Sequence, residues 1–300
     1  MKRNSIISAI LFTFTIMLMF VSAARAEERI GVVTNFYPEI KPFLKRLEGH
    51  PVQVKKAAGI EFFETSIDGK TIVVFMGGSD EAAASSALQK AIDEFKLTRI
   101  IVSGVAGGVS DRVHIGDVVI PAQWANHTFG YLANKKHTYA SFFKPMEDFS
   151  EPFGFMYHDA KEINMEVKAG DAVGRMVWFP TDRGMLDLSA KLGKLPNLKN
   201  LAGNQTEFVI GGNGASGTWF VDNWEYRQHL MKYFNADIVD VESQALCQVA
   251  LMNNKPIIVI RAVSDFAGNP EDKHNTVRDN LFGAAFNSSE AVWEFIKLIK

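Results

Sequence analysis

Short apolar runs alternate with helix-period segments along most of the chain. RIGVVT (Arg29–Thr34), TIVVFM (Thr71–Met76), RIIVS (Arg99–Ser103) and Ile257–Ile260 are continuous enough to be strands buried on both faces. Pro38 opens a helix that runs to about Leu47, in keeping with proline in a first helical turn. Beyond Gly77-Gly78-Ser79-Asp80, the residues Ala84, Leu88, Ala91, Ile92 and Phe95 recur at helical spacing, with Ser79 or Asp80 as N-cap. Gly116–Pro121 reads as a turn and strand, Glu207–Ile210 as a strand and Asp222–Phe234 as a helix. After the break at Asn269-Pro270, a last helix spans roughly Thr276–Lys300. Strands alternating with helices from end to end predict an α/β fold whose largely parallel sheet is covered on both faces.

The most informative stretch is Ala236–Asn269, read as strand, helix, strand and polar loop. Asp240 and Glu242 fall where its first strand gives way to the helix. Arg261, Ser264 and Asp265 fall where the second strand, Ile257–Ile260, runs out. In open α/β sheets, ligands bind in the crevice at the carboxyl ends of the strands. A single such cluster would fit a helix cap, or a structural Arg261–Asp265 pair. Two clusters on one sheet edge point to a site. Glu39 lies just past the first strand, where a carboxylate also complements the helix dipole. Gly104-Val105-Ala106-Gly107-Gly108 would let backbone approach a ligand closely or adopt positive φ. Its spacing is not that of a dinucleotide fingerprint. The Gly77-Gly78 turn could cradle an anion, but Asp80 beside it would repel phosphate.

From about Ala122 to Gln205 the periodicity fades. Aromatic residues and four prolines crowd a stretch whose core, at about 130–205, reads as an insert: a lid, an interface element or a peripheral subdomain. The first 26 residues stand apart. Lys2 and Arg3 precede an apolar run from Ile6 to Val21, and Ala24-Arg25-Ala26 offers a small-x-small cleavage site. A cleaved signal peptide (1–26) and an exported domain (27–300), periplasmic or secreted, are therefore expected. Losing Lys2, Arg3 and Arg25 would take the formal charge from -2 to -5. That mildly acidic chain has no basic block and is not expected to bind nucleic acid or, once cleaved, a membrane. Cys247 is the only cysteine and sits among apolar residues, so no internal disulfide forms. Scattered histidines without H-E-x-x-H give no metal site, and G-x-S-x-G and the P-loop are absent from the sequence. The inventory is that of a cofactor-free acid/base site.

IGVVTNFYPEI, SGVAGGV with HIGDVVIP, and VDVES with VIRAVSDFAGN occur in that order. They resemble the nucleoside phosphorylase/nucleosidase superfamily, in particular its methylthioadenosine/S-adenosylhomocysteine nucleosidases, over about Arg29–Gly130 and from Glu207 onward. The resemblance implies a single three-layer α/β domain with a central mixed sheet, usually in homo-oligomers. It implies hydrolysis of the N-glycosidic bond of a purine nucleoside. Asp265 matches the acid that protonates the departing base, oriented by Ser264. Glu39 matches the residue that holds and deprotonates water, with Arg261 nearby. Glu242 matches the carboxylate on the ribose hydroxyls, and Phe220 the aromatic that stacks on the base. Val105, Ala106, Gly107, Val221 and Val241 match residues lining the substrate pocket. One position departs: Val105 stands where nucleosidases carry a serine that helps hold the nucleophile. Two alternatives follow. One is a phosphorylase of the same fold. The other is an exported nucleoside-binding or storage protein, since Trp124 and His127 in IPAQWANHT resemble the plant storage members of the superfamily.

Overall fold

A computed structural model describes residues 27–129, 131–132, 155–156, 178–193, 195–270 and 276–300. The stretch read as a signal peptide and most of the stretch read as an insert lie outside these residues. β1 (Arg29–Thr34) leads to α1 (Tyr37–Leu47), β2 (Gln53–Ala57), β3 (Ile60–Ile67), β4 (Lys70–Met76) and α2 (Glu81–Phe95). β5 (Arg99–Gly108), β6 (Val118–Ile120) and β7 (Gln123–Asn126) follow. Next come two short strands, β8 (Tyr131–Leu132) and β9 (Phe155–Met156), then β10 (Trp178–Pro180) and α3 (Arg183–Ser189). The chain continues through β11 (Phe208–Ile210), β12 (Asn213–Ser216), α4 (Trp224–Phe234), β13 (Ala236–Asp240) and α5 (Ser243–Met252). It closes with β14 (Ile257–Asp265) and α6 (Val277–Leu298).

The main sheet runs β10-β7-β12-β13-β5-β1-β4-β3-β2, with β14 beside β5 and linked through β6 to β11. Its centre is parallel: β1 pairs with β4 and β5, and β5 with β14. Antiparallel pairs join β13 to β5, β14 to β6 and β10 to β7. These central strands are buried almost throughout, as two-faced apolar runs require. On one face Leu88, Ala91 and Phe95 of α2 pack with Leu246 and Ala250 of α5. On the other, Ile40 and Phe43 of α1 meet Ala284, Val292 and Phe295 of α6. The result is the three-layer α/β domain with a mixed, largely parallel sheet that the pattern predicts.

Three boundaries differ from the apolar runs. The β2–β3 hairpin was not announced by them, because β2 is an exposed edge strand carrying Lys55 and Lys56. The local signal lies in its turns: Ala58-Gly59 and Asp68-Gly69 all have positive φ, the requirement of a two-residue type I′ hairpin. β5 continues through the glycine run to Gly108, and β14 continues past Ile260 to Asp265. Arg261, Ser264 and Asp265 therefore lie inside a strand, not beyond it. Sheet pairing along β5 extends β14, since Arg261 to Asp265 find backbone partners on Gly104 to Gly107. Of the stretch at about 130–205, Trp178–Pro180 joins the sheet edge beside β7.

Candidate active site

The site forms where β1, β5, β13 and β14 end together. β1 stops at Thr34, and the turn into α1 leaves Asn35 and Glu39 buried at the sheet edge, 1% and 2% exposed. β13 stops at Asp240, and Glu242 occupies the N-cap of α5 without a capping hydrogen bond. A bulge between Val263 and Asp265 breaks the alternation of β14, so that Ser264 and Asp265 both reach the same pocket.

Arg261 is the hub, with 1% of its surface exposed. Its Nη1 donates to Glu39 Oε1 at 3.3 Å, and its Nη2 meets Asp240 Oδ2 at 2.8 Å and Glu242 Oε2 at 3.2 Å. Nε and Nη2 also reach Ser243 Oγ at 3.3 and 3.0 Å. Asp240 accepts from the hydroxyls of Ser216 and Ser243, and from the Ser243 N–H at 3.2 Å. The helix-cap reading of Asp240 is thus true but incomplete, because the same carboxylate clamps the guanidinium. The simple pairing of Arg261 with Asp265 does not occur. Arg261 stands behind the pocket wall and fixes the carboxylates that form it.

Glu39 is held from both sides. Asn35 N–H donates to its Oε2 at 2.7 Å, and Val105 N–H to its Oε1 at 2.8 Å. The Val105 contact is a backbone one, so the loss of a hydroxyl at this position leaves the Glu39 anchor intact. Asp265 is separate from the hub: Ser264 Oγ donates to its Oδ2 at 2.8 Å, and Ala267 N–H to its Oδ1 at 2.9 Å.

These groups open onto a cavity of about 370 Å³, a size suited to a small molecule. Glu39, Glu242, Ser264 and Asp265 line it, together with Val105, Ala106 and Gly107 from β5. Phe220, Val221 and Val241 complete the set expected from sequence; Phe220 is 66% exposed at the rim and Val221 is buried. The structure adds Phe36, and Val277 and Leu281 on α6, as an apolar wall that sequence reasoning did not assign. It also adds Asn35, whose only local signal is its place one residue past a buried strand. Trp124 and His127 are fully buried and are not on this wall. His127 Nδ1 instead lies 2.9 Å from the Tyr226 hydroxyl.

The glycines of β5 owe their presence to close approach. None of Gly104, Gly107 or Gly108 has positive φ. A Cβ on Gly104 would lie 2.1 Å from both Arg261 Nη1 and Glu39 Oε1, and one on Gly107 would lie 3.1 Å from Asp265 Oδ1. Buried functional side chains occupy the space that a side chain would need.

Three carboxylates around one guanidinium leave surplus negative charge in a buried place. Burial pushes Glu242 up to about 8; Arg261 opposes the rise, while Asp240 and Glu39 add to it. Burial likewise raises Glu39 against the pull of Arg261 and two backbone N–H donors. Burial works against the charge of Arg261, but Asp240, Glu39 and Glu242 more than offset it and its pKa rises. Asp265 is raised by burial, against the hydrogen bonds of Ala267 and Ser264, with Asp222 adding to the rise. The arrangement can therefore keep a proton on an acid near neutral pH while holding an electron-rich carboxylate elsewhere. Among the described residues, no group of three or more His, Cys, Asp or Glu is placed to hold a metal ion.

A pH dependence of stability follows. The model-compound pKa of Glu242 is 4.5, so between that value and about 8 the native state keeps a proton that the unfolded chain has released. Stability must then fall as pH rises through this window. His127 acts in the opposite sense: burial, then His229, lower it from 6.5 to about 3, so it weakens the fold as pH drops below 6.5. Above 6.5 His127 is neutral in both states and the acids dominate. We predict that the unfolding free energy decreases between pH 6.5 and 8 by about 1.4 kcal/mol per pH unit for each such proton. Glu242→Gln should make the decrease shallower. Wild-type stability that is flat over this range would refute the raised Glu242.

The fold and the site together define an α/β protein with a buried acid/base pocket at the carboxyl ends of its strands. The chain belongs to the phosphorylase superfamily, which it matches over residues 29–297. It is 24% identical over 277 residues to a 5'-methylthioadenosine/S-adenosylhomocysteine nucleosidase of Colwellia psychrerythraea, covering 91% of this chain and 97% of that one. Among solved structures it is similar in fold to the Helicobacter pylori nucleosidase of the same name, with a TM-score of 0.66 and 20% identity, over 90% of this chain and 98% of the other. The futalosine hydrolase of the same organism is similar to the same degree, with a TM-score of 0.66 and 20% identity over 90% and 97% of the two chains.

Proposed function

We propose that the protein hydrolyses the N-glycosidic bond of a purine nucleoside of the adenosine type and releases the free base. The observation that carries this reading is the engagement of Arg261 by Glu39, Asp240 and Glu242 beside a separately held, raised Asp265. Breaking the bond develops positive charge on the sugar and negative charge on the base. Asp265 gives its proton to N7 as the C1′–N9 electron pair leaves with the base. Water held by Glu39 bonds to C1′, and Glu39 takes the water's proton. Glu242 accepts hydrogen bonds from the ribose hydroxyls, which strengthen as the sugar becomes cationic. Phe220 offers the base an aromatic face at the rim.

Water is favoured over phosphate on electrostatic grounds. A phosphate dianion beside Glu39 would face that carboxylate and Asp240, and the hub guanidinium is already engaged by Glu39, Asp240 and Glu242. Val105 adds methyl groups, not a donor hydroxyl, at that point. The wall of Phe36, Val277 and Leu281 suits an apolar 5′ substituent such as methylthio, and the similarity to methylthioadenosine/S-adenosylhomocysteine nucleosidases supports this class. The test is base release from methylthioadenosine, S-adenosylhomocysteine, adenosine and inosine, each with and without phosphate. Free base without phosphate is expected. Release only with phosphate would assign the phosphorylase reaction, and tight binding without release would assign a storage or carrier role.

The same reading includes an exported homo-oligomer. Export is supported by the n-region, apolar run and Ala24-Arg25-Ala26; a protein isolated from its source with Met1 intact would refute it. Self-association is supported by Trp219 and Phe220, large apolar side chains that line the pocket and are exposed. A monomer by light scattering at micromolar concentration would refute that.

A further inference from the structure

Asn35 touches two of the carboxylates that the proposed reaction uses, and by two different groups. Its backbone N–H donates to Glu39 Oε2, and its side-chain Nδ2 donates to Glu242 Oε2 at 2.9 Å, across 207 positions of sequence. We propose that Asn35 is a positioning residue for sugar recognition: its carboxamide orients Glu242 so that the second oxygen, Oε1, meets the ribose hydroxyls. The inference rests on the nucleoside reading above and extends it to a residue outside the acid/base set.

Three observations carry it. Among the described residues, the hydrogen bonds to the Glu242 side chain all end on Oε2, from Asn35 Nδ2 and from Arg261 Nη2 at 3.2 Å. Two donors, one just past β1 and one within β14, meet on one oxygen, restrict the carboxyl torsion and leave Oε1 for a ligand, at the wall of the cavity. Next, among the described residues, the Asn35 carboxamide makes no bond to backbone. A turn asparagine with a purely local role bonds the main chain of its own turn; this one bonds only Glu242. Last, Oδ1 of Asn35 is buried and has no partner among the described residues. A half-satisfied buried amide weakens a fold, so an apolar residue of similar shape would serve packing better. The bond to Glu242 is what the amide adds. The reverse orientation of the amide would set Oδ1 against Glu242 Oε2, acceptor against acceptor.

The side chain can be tested apart from the backbone. Asn35→Ala and Asn35→Leu both keep the N–H that holds Glu39, so the water side of the site is unchanged. Base release would be measured for each variant on adenosine, 2′-deoxyadenosine and 3′-deoxyadenosine, alongside thermal unfolding. A single hydrogen bond to a carboxyl that keeps its proton near neutral pH corresponds to roughly two- to tenfold in kcat/KM. The expected loss is of that size on adenosine, expressed mainly in KM, and much smaller on the deoxy analogue that lacks the hydroxyl held by Glu242. The melting temperature should stay close to wild type. Equal losses on all three sugars would overturn the inference, because a general disturbance of the pocket does not discriminate between hydroxyls. Unchanged kinetics on adenosine would also overturn it while leaving the nucleosidase reading intact. A wild-type protein that releases base from none of the three, nor from methylthioadenosine or S-adenosylhomocysteine, would overturn that reading and the inference with it; activity on methylthioadenosine alone moves the comparison to its 2′- and 3′-deoxy analogues with the same expected outcomes.

Discussion

Asp265→Asn is expected to lower kcat for an adenosine-type nucleoside by about 10²- to 10⁴-fold, the contribution of a positioned general acid, with the fold intact. The local hydrogen bonds explain why the fold survives. Ala267 N–H needs an acceptor, which the amide oxygen of asparagine supplies in place of Oδ1. Ser264 now donates to Oδ2, but its hydroxyl can rotate and accept from an amide NH₂ instead. Shape and bonding are both retained. What is lost is a carboxyl group whose pKa burial raises and which can therefore hand a proton to the base. Asparagine can donate a hydrogen bond to N7 but cannot transfer a proton to it. Base release by chromatography, with circular dichroism and nucleoside binding by calorimetry, separates these effects. A variant that binds and turns over adenosine at the wild-type rate would remove Asp265 from the mechanism.

Gly104→Ala is expected to cost about 3 kcal/mol or more of stability, the scale of breaking a buried ion network, and to abolish turnover. The backbone itself would accept alanine, since Gly104 does not have positive φ. The conflict is with side chains, as the new Cβ would sit 2.1 Å from both Arg261 Nη1 and Glu39 Oε1. Such tips often swing aside, but these two are pinned. Asn35 and Val105 N–H groups hold Glu39, while Asp240, Glu242 and Ser243 hold Arg261. Moving either breaks charge-assisted bonds of groups that are 1–2% exposed. Gly108→Ala is the matched control, because the atoms nearest its Cβ would be apolar ones of Phe266, Val263 and Val113, at 3.0 to 3.2 Å. It should cost packing without scattering the hub. Urea unfolding and base release measure both effects, and a Gly104→Ala protein as stable and active as the Gly108→Ala control would refute the argument.

Asp237 and Cys247 are buried polar groups that do not line the pocket. Asp237 accepts from Ser110, from Asn213 N–H and from the Arg112 fork, and so ties β13 to the loop after β5. Cys247 is buried in the α2/α5 layer, where burial raises its thiol pKa. A solvent thiol reagent should therefore leave it unmodified in the folded protein.

Sequence by itself determined the buried central strands, the two long helices α2 and α6 and the regions of the chain that meet at the site. Unbroken apolar runs and a 3.6-residue period are local properties, set by which faces must leave water, and they survive any sheet order. It also placed Glu39, Glu242, Ser264 and Asp265 within reach of one sheet edge, because polar residues just past buried strands have few other places to go. Tertiary structure alone decided the partners. Pairing along β5 carried β14 five residues beyond its apolar run, past Ile260, and turned a strand-end arginine into the buried hub. Asn35, unremarkable in sequence, became the link between Glu39 and Glu242 once β1 and β13 lay near each other across β5. The apolar wall from α6 likewise arose from packing. A buried charge takes whichever partner the sheet order brings within about 3 Å, and no spacing along the chain encodes that distance.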